Sequence, residues 1–265
     1  MARSALLNVM VQAAMKAGRS LSRDFGEVQN LQVSMKGPGD YVSQADRKAE
    51  EIIHTELSRA RPGYAFLMEE RGAVSGDDDQ HRWIVDPLDG TTNFLHGIPV
   101  FSISIALERQ SQLVAAVVYN PAMDELYTAE RGGGAFLNDR RLRVAARAKL
   151  TDAVIGCGLP HLGRGHHGNF LVELRNVMGE VSGVRRLGSA SLDLAYVAAG
   201  RFDGFWERGL SAWDIAAGIL LIREAGGFVS DVNGGQAMLD DGSVVAGNEA
   251  IHRALLKTVT KPLKA

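Results

Sequence analysis

The segment Asp86-Pro87-Leu88-Asp89-Gly90-Thr91-Thr92-Asn93-Phe94 gathers two carboxylates, a proline, a glycine and two hydroxyls directly after the apolar run "RWIV" at 82–85. Pro87 fixes its own φ and lacks an N–H, so it ends a buried strand, and Gly90 permits the tight geometry that opens the next element. Both acids therefore fall at a strand end. Thr91, Thr92 and Asn93 then bring hydroxyls and backbone N–H groups to a helix start, a natural seat for a phosphate. Asp-Pro and Asp-Gly are also ordinary turn dipeptides, so the segment alone is equally compatible with a plain turn.

Three further acidic places occur in similar settings. "FLMEERG" puts Glu69 and Glu70 at the end of the preceding strand, where Glu69 stands beside Asp86 if the two strands are neighbours. Asp214 opens a helix that is apolar nearly all round until Arg223 and so is expected to be buried. Asp46 lies in the first turn of the second helix. Ser43 with Asp46, and Ser211 with Asp214, each also fit a capping box, which needs no catalysis. Two carboxylates about 4 Å apart repel by roughly 4 kcal/mol at an effective dielectric of about 20. A cluster of Glu69, Asp86, Asp89 and Asp214 must then be protonated, dispersed or filled with cations. Hard carboxylate oxygens suit Mg²⁺, and shared carboxylates suit more than one ion. His161, His166 and His167 sit in a glycine-rich polar loop that reads as a mobile surface segment rather than a transition-metal site.

The elements that position these groups follow from periodicity. Helices are predicted over 3–23, 43–60, 168–178, 190–199, 212–225 and 249–260. Strands are predicted near 64–69, 81–86, 100–108, 113–119 and 125–129, with a hairpin turn at Asn138-Asp139 and short strands in "AVIGCG", "FDGFWE", "GFVSD" and "SVVAGN". This α/β pattern divides into an antiparallel-rich lobe over 1–147, carrying most of the acids, and an alternating lobe over 148–265, carrying Asp214, the two sharing a cleft as one continuous unit.

Composition narrows the function classes. The 265 residues are 46% apolar, enough for a sizeable core, and a formal charge of -2 leaves no footprint for nucleic acid or an anionic membrane. Arg140, Arg141, Arg143, Arg147 and Lys149 read as a solvated strand face. The single cysteine, Cys157, reads as a small core residue and fits a reducing compartment, and no apolar run reaches the ~18 residues of a membrane span. The acid-free N-terminus superficially looks like a transit peptide but also suits an amphipathic helix, and a cytoplasmic location is expected.

"DPLDGTTNF" and "WDIAAGILLIREAGG", together with "DYVSQAD", the Glu69-Glu70 pair and Gly188-Ser189 in matching order and spacing, resemble the inositol monophosphatase family over nearly the whole chain. The resemblance implies a layered α/β/α/β/α sandwich, Mg²⁺ dependence with two or three ions per site, inhibition by Li⁺, and a homodimer. It implies that Glu69, Asp86 and the Leu88 carbonyl hold a first Mg²⁺, that Asp86, Asp89 and Asp214 hold a second, and that Glu69 reaches a third through water. Thr91, supported by Asp46, would activate the attacking water, and the N–H groups of Gly90 and Thr91 would hold the phosphate. Asn93, Gly188, Ser189, Ala190 and Glu207 match positions facing the alcohol, and Lys36 a mobile loop over the site. Where the family usually has Gly-Glu-Glu-Ser this chain has Met68-Glu69-Glu70-Arg71, and Arg71 is expected to alter the metal site or greet an extra anionic group.

The substrate expected is a small polyol monophosphate, with inositol 1-phosphate first. Histidinol phosphate, 3'-phosphoadenosine 5'-phosphate and fructose 1,6-bisphosphate are hydrolysed by relatives with the same acids. A different class of role, binding the transcription machinery through RNA polymerase, is implied by some bacterial relatives.

Overall fold

A computed structural model describes residues 3–27, 33–37, 40–163 and 165–262, with the backbone alone for 33–37 and 40–42. Helices α1 (Ala5–Phe25) and α2 (Gln44–Ala60) flank a short hairpin of β1 (Val33–Gly37) and β2 (Asp40–Ser43). There follow β3 (Tyr64–Met68), β4 (Gly72–Val74), β5 (Asp78–Asp89), the short α3 (Thr91–Leu95), β6 (Ser102–Arg109), β7 (Gln112–Asn120), β8 (Glu125–Glu130), β9 (Gly134–Leu137) and β10 (Arg140–Arg141). The second half runs β11 (Val154–Cys157), α4 (His167–Met178), β12 (Gly183–Arg185), α5 (Ala190–Ala198), β13 (Gly204–Arg208), α6 (Ala212–Glu224), β14 (Phe228–Ser230), α7 (Met238–Asp241), β15 (Ser243–Gly247) and α8 (Glu249–Val259).

Two sheets carry the structure. The larger has the order β10-β9-β8-β7-β6-β5-β3-β4, and the smaller β12-β11-β13-β15-β14. The first is antiparallel except for the β3–β5 pair. In the second, β11 runs parallel to β12 and β13, and β15 antiparallel to β13 and β14.

Strand periodicity sorts the apolar side chains into three cores. Ile103, Ile105 and Leu107 of β6 face α1 and α2, along with Trp83 and Val85 of β5. The other face of that sheet contributes Ile84, Ala106, Ala116 and Val118 to a central core shared with α5, α6 and the inward residues Phe205, Val244 and Ala246 of the smaller sheet. Outward residues of the smaller sheet, Ile155, Trp206 and Val245, pack with Val177 of α4 and Ile251 and Leu255 of α8. The result is the α/β/α/β/α sandwich. α5 and α6 are buried between sheets, which explains why both are apolar nearly all round, whereas α1 and α8 carry one apolar stripe.

The predicted hairpin turn forms at Asn138 and Asp139, whose positive φ values of 46° and 64° these residue types tolerate. The basic cluster is exposed, and Arg147 pairs with Asp203 at 2.6 Å. Among the described residues, no helix is long and apolar enough to cross a membrane.

Contact between α5 and α6 is set by Gly218, where a Cβ would stand 2.5 Å from Leu194 Cβ. Gly218→Val should force the two helices apart and destabilise the fold by about 1–3 kcal/mol, lowering the thermal midpoint by several degrees. An unchanged midpoint would contradict this packing.

Candidate active site

A regular strand puts residues i and i+3 on opposite faces, so Asp86 and Asp89 would not meet in one. β5 solves this with a bulge. Asp86 pairs with Ser104 and Asp89 with Ser102, three steps on β5 against two on β6. Pro87 sits in the bulge, where its missing N–H breaks no ladder bond. Leu88 turns into the core against α1 and α2, and both carboxylates emerge on the side of Ser102 and Ser104. The Leu88 N–H donates to Asp86 Oδ1 at 2.9 Å, closing the turn.

Glu69 arrives from the neighbouring strand. Met68 pairs with Val85, and the Glu69 N–H donates to the Val85 carbonyl at 3.2 Å, which places Glu69 alongside Asp86. Asp214 arrives from α6, whose start is tied to β6 by Ser104 Oγ donating to the Trp213 carbonyl at 3.1 Å. Ser211 and Asp214 do form a capping box, the Ser211 N–H donating to Asp214 Oδ2 at 2.7 Å. Capping and membership of the acidic cluster are thus one arrangement rather than alternatives, since the cap fixes which way the carboxylate points.

The same holds for Asp46. It completes a capping box with Ser43, is fully buried, and accepts from Thr91 Oγ1 at 2.9 Å through Oδ1. The Thr91 hydroxyl also lies 3.0 Å from the Leu88 carbonyl. α3 is anchored by Phe94, which stacks edge-on against Phe101 at 5.0 Å and tilts against Phe25 at 5.5 Å. Before it, Gly90 has φ 95°, and a Cβ there would come within 2.9 Å of the Val100 carbonyl. Asp89 Oδ2 is held by the start of α5, accepting from Ser189 Oγ at 2.7 Å and from the Ser191 N–H and Oγ at 2.7 and 2.5 Å.

These groups line a cleft of about 410 Å³. Glu69, Asp86, Leu88, Asp89 and Asp214 line it with Gly90 and Thr91, and so do Gly188, Ser189, Ala190 and Glu207. Asp86 is 2% exposed, and its carboxyl is pushed well above the usual range by burial first and then by Glu69, Asp89 and Asp214. Burial likewise raises Asp89, against the hydrogen bonds from Ser191 and Ser189. Among the described residues no three Asp, Glu, His or Cys side chains already stand in a closed ligand shell. The donor chemistry nevertheless fits a hard divalent cation. Four carboxylates and a carbonyl converge on one cleft, and the side chains that raise Asp86 are all acids.

Several expected residues are placed differently. Asn93 does not line the cleft. It is buried, and its amide donates to the Val100 and Leu187 carbonyls at 2.7 and 2.9 Å, bracing the loop that leads to Gly188. Arg71 turns away from the cleft toward α2, pairing with Glu50 at 3.3 Å and with Glu51, and Met68 is a buried core residue. The side chain of Lys36 lies outside the described residues. His161, read from sequence as part of a surface loop, lines the cleft with Leu159 and Leu162. Cys157 is buried and its thiol is pushed up to about 12 by burial, then Asp193 and Glu207, which suits a core residue rather than a nucleophile.

Sequence reasoning passed over Arg186 and Asp193, which also line the cleft. Asp193 is the one acid in the otherwise apolar α5, and a lone carboxyl in a helix buried on all sides was the signal available. Its own carboxyl is pushed well above the usual range by burial, then by Glu207 and Asp89, while Arg186 draws it down.

The carboxylate cluster should be a liability when no cation is present. Asp86 titrates higher folded than unfolded, so its contribution to stability declines as pH rises through the folded value. In chelator-treated protein, Asp86→Asn should therefore raise the thermal midpoint at neutral pH, and that advantage should vanish as pH falls toward 3.8. A variant less stable than the parent at neutral pH would contradict the repulsion. Adding Mg²⁺ should raise the midpoint of the parent far more than that of the variant.

Comparison with known proteins agrees with this architecture. The model of the inositol monophosphatase family matches residues 2–263. An inositol-1-monophosphatase of Mesorhizobium japonicum is 86% identical over 265 residues, covering 100% of both chains. The Nus factor SuhB of Pseudomonas aeruginosa is 46% identical over 258 residues, covering 96% of this chain and 95% of that one. Among solved structures, the extragenic suppressor protein suhB of Bartonella henselae superposes with a TM-score of 0.96 at 66% identity, covering 98% of this chain and 100% of that chain.

Proposed function

We propose that this chain, which belongs to the inositol monophosphatase family and is a phosphoric monoester hydrolase, acts with Mg²⁺ on a small polyol monophosphate, inositol 1-phosphate foremost. The observation that carries the reading is the convergence of Glu69, Asp86, Asp89 and Asp214 on one cleft. Hydrolysis of a phosphate monoester needs an acceleration approaching ~10²¹, or roughly 28 kcal/mol, more than one acid or base supplies. Bound among these acids, Mg²⁺ would lower the pKa of the attacking water and neutralise charge on the phosphate and the leaving oxygen. Glu69, Asp86 and the Leu88 carbonyl would hold one ion, Asp86, Asp89 and Asp214 another, and Glu69 a third through water.

The chain's own groups do the positioning. Thr91 Oγ1, donating to buried Asp46, keeps its lone pairs for the hydrogen of a nucleophilic water, and Thr91 lines the cleft. Asp46 in turn is fixed by the Ser43 N–H at 2.8 Å and the Ser43 hydroxyl at 2.5 Å, which holds its other oxygen in place to accept from Thr91. Backbone N–H groups of Gly90 and Thr91 at the start of α3 supply donors for phosphate oxygens. Gly188, Ser189, Ala190 and Glu207, which also line the cleft, would face the alcohol, with the Glu207 carboxylate accepting from its hydroxyls. The reading includes a cytoplasmic setting, supported by the single buried thiol, and a homodimer, supported by the family resemblance.

A second reading, attachment to the transcription machinery, draws on relatives named Nus factor SuhB and on exposed Arg140, Arg141 and Arg143. Failure to recover RNA polymerase in a pull-down at physiological salt would count against it.

Asp89→Asn should lose phosphate release from inositol 1-phosphate by about a hundredfold or more while retaining the parent's circular dichroism spectrum. Near-native turnover would remove Asp89 from the site. Phosphate release should be fastest with inositol 1-phosphate among the four compounds that relatives hydrolyse, and faster turnover of histidinol phosphate, 3'-phosphoadenosine 5'-phosphate or fructose 1,6-bisphosphate would replace the substrate assigned.

A further inference from the structure

Resting on the phosphatase reading, we propose that Asp193 is a specificity-determining residue that exchanges a hydrogen bond with a hydroxyl of the leaving polyol, next to the hydroxyl taken by Glu207. Asp193 lies one turn into α5, four residues past Ser189, and lines the cleft together with Glu207. It is 1% exposed, and its Oδ1 has no hydrogen-bond partner among the described residues. Native folds rarely leave a buried side-chain oxygen unpaired, and where one faces a cleft the missing partner is a ligand or an ordered water. Of the other polar side chains of α5 and its cap, the Ser189 and Ser191 hydroxyls both donate to Asp89 and the Tyr196 hydroxyl is directed to Met123 Sδ at 3.9 Å. Asp193 is the polar group of that helix left for whatever enters.

Charge selects the partner's chemistry. Arg186 lines the cleft and acts electrostatically on Asp193, so this wall already contains a cation and disfavours a second one such as a substrate ammonium. Glu207 and Asp193 together disfavour an anion. A neutral hydroxyl meets both conditions, because it can donate to a carboxylate or accept from a carboxylic acid and is served in either protonation state. Two carboxyls on one wall further match neighbouring hydroxyls on a ring, which makes a polyhydroxylated alcohol a better fit than a simple alkyl or aryl one. Leu159, Leu162 and Leu210 complete the wall with apolar surface for the ring's C–H faces.

The test is a pair of substrates read on wild type, Asp193→Asn and Asp193→Leu with Mg²⁺ present: inositol 1-phosphate, and p-nitrophenyl phosphate, whose leaving group has no further hydroxyl. In Asp193→Leu the ratio of kcat/KM for the polyol ester to that for the aryl ester should fall about tenfold, mainly through KM for the polyol. Asp193→Asn, which keeps shape and a hydrogen-bonding end, should show a smaller fall in the same direction and serves if the leucine variant does not fold. An unchanged ratio in a folded variant overturns the proposal. Parallel losses on both esters with a lowered thermal midpoint also overturn it, since they make Asp193 a structural residue. If wild type releases phosphate from neither ester, the phosphatase reading itself fails, and this assignment with it.

Discussion

Carboxylates repel, and the fold brings four of them to one place. Two carboxylates about 4 Å apart at an effective dielectric of about 20 repel by roughly 4 kcal/mol, a large share of a domain's net stability. The arrangement persists because three of the acids are tied to backbone or hydroxyl groups that cannot follow the repulsion outward. Asp86 is clamped by the Leu88 N–H in the bulge, Asp89 by three donors from α5, and Asp214 by the N–H of its own helix cap. Each tie is a hydrogen bond from a backbone N–H or a hydroxyl to a carboxyl oxygen, which can be made whether the acid is charged or neutral.

Those ties are fixed by the layers behind them. β5 is a central strand with neighbours on both edges, and its Trp83 and Val85 are held by the α1–α2 core. α5 and α6 are gripped between two sheets, so the ends they present to the cleft have little freedom. Cation binding in such a frame requires no folding of the site, only displacement of protons and side-chain hydrogen bonds. The frame therefore stores an electrostatic penalty in return for a preorganised cluster of negative oxygen donors.

What could be read from the sequence was local. The capping boxes at Ser43 and Ser211, the turn at Asn138-Asp139 and the two-periodic core strands all depend on neighbours a few residues apart, and each matches the structure; the strand stop expected at Pro87 does not, because β5 carries on through the proline to Asp89 by way of a bulge. The hairpin of β1 and β2, the edge strands β4 and β12, and α7 span at most five residues each, too few for a periodic signal. Residues whose roles depend on distant partners were harder. Asn93 offers an amide beside the acidic turn, but its bond to the Leu187 carbonyl, 94 positions away, makes it a brace. Arg71 follows two acids of the cluster in sequence and yet answers to Glu50 and Glu51 on α2. His161 and Asp193 become cleft residues only because the chain leaving β11 and the start of α5 meet the bulge of β5 at one cleft.

The central claim is that divalent cations account for the convergence of Glu69, Asp86, Asp89 and Asp214. Anomalous diffraction from crystals grown with Mn²⁺ in place of Mg²⁺ tests it most directly. Peaks should appear among these carboxylates and near the Leu88 carbonyl, with oxygen ligands from more than one of the acids. An empty cleft at saturating Mn²⁺, or peaks found only elsewhere on the molecule, would contradict it.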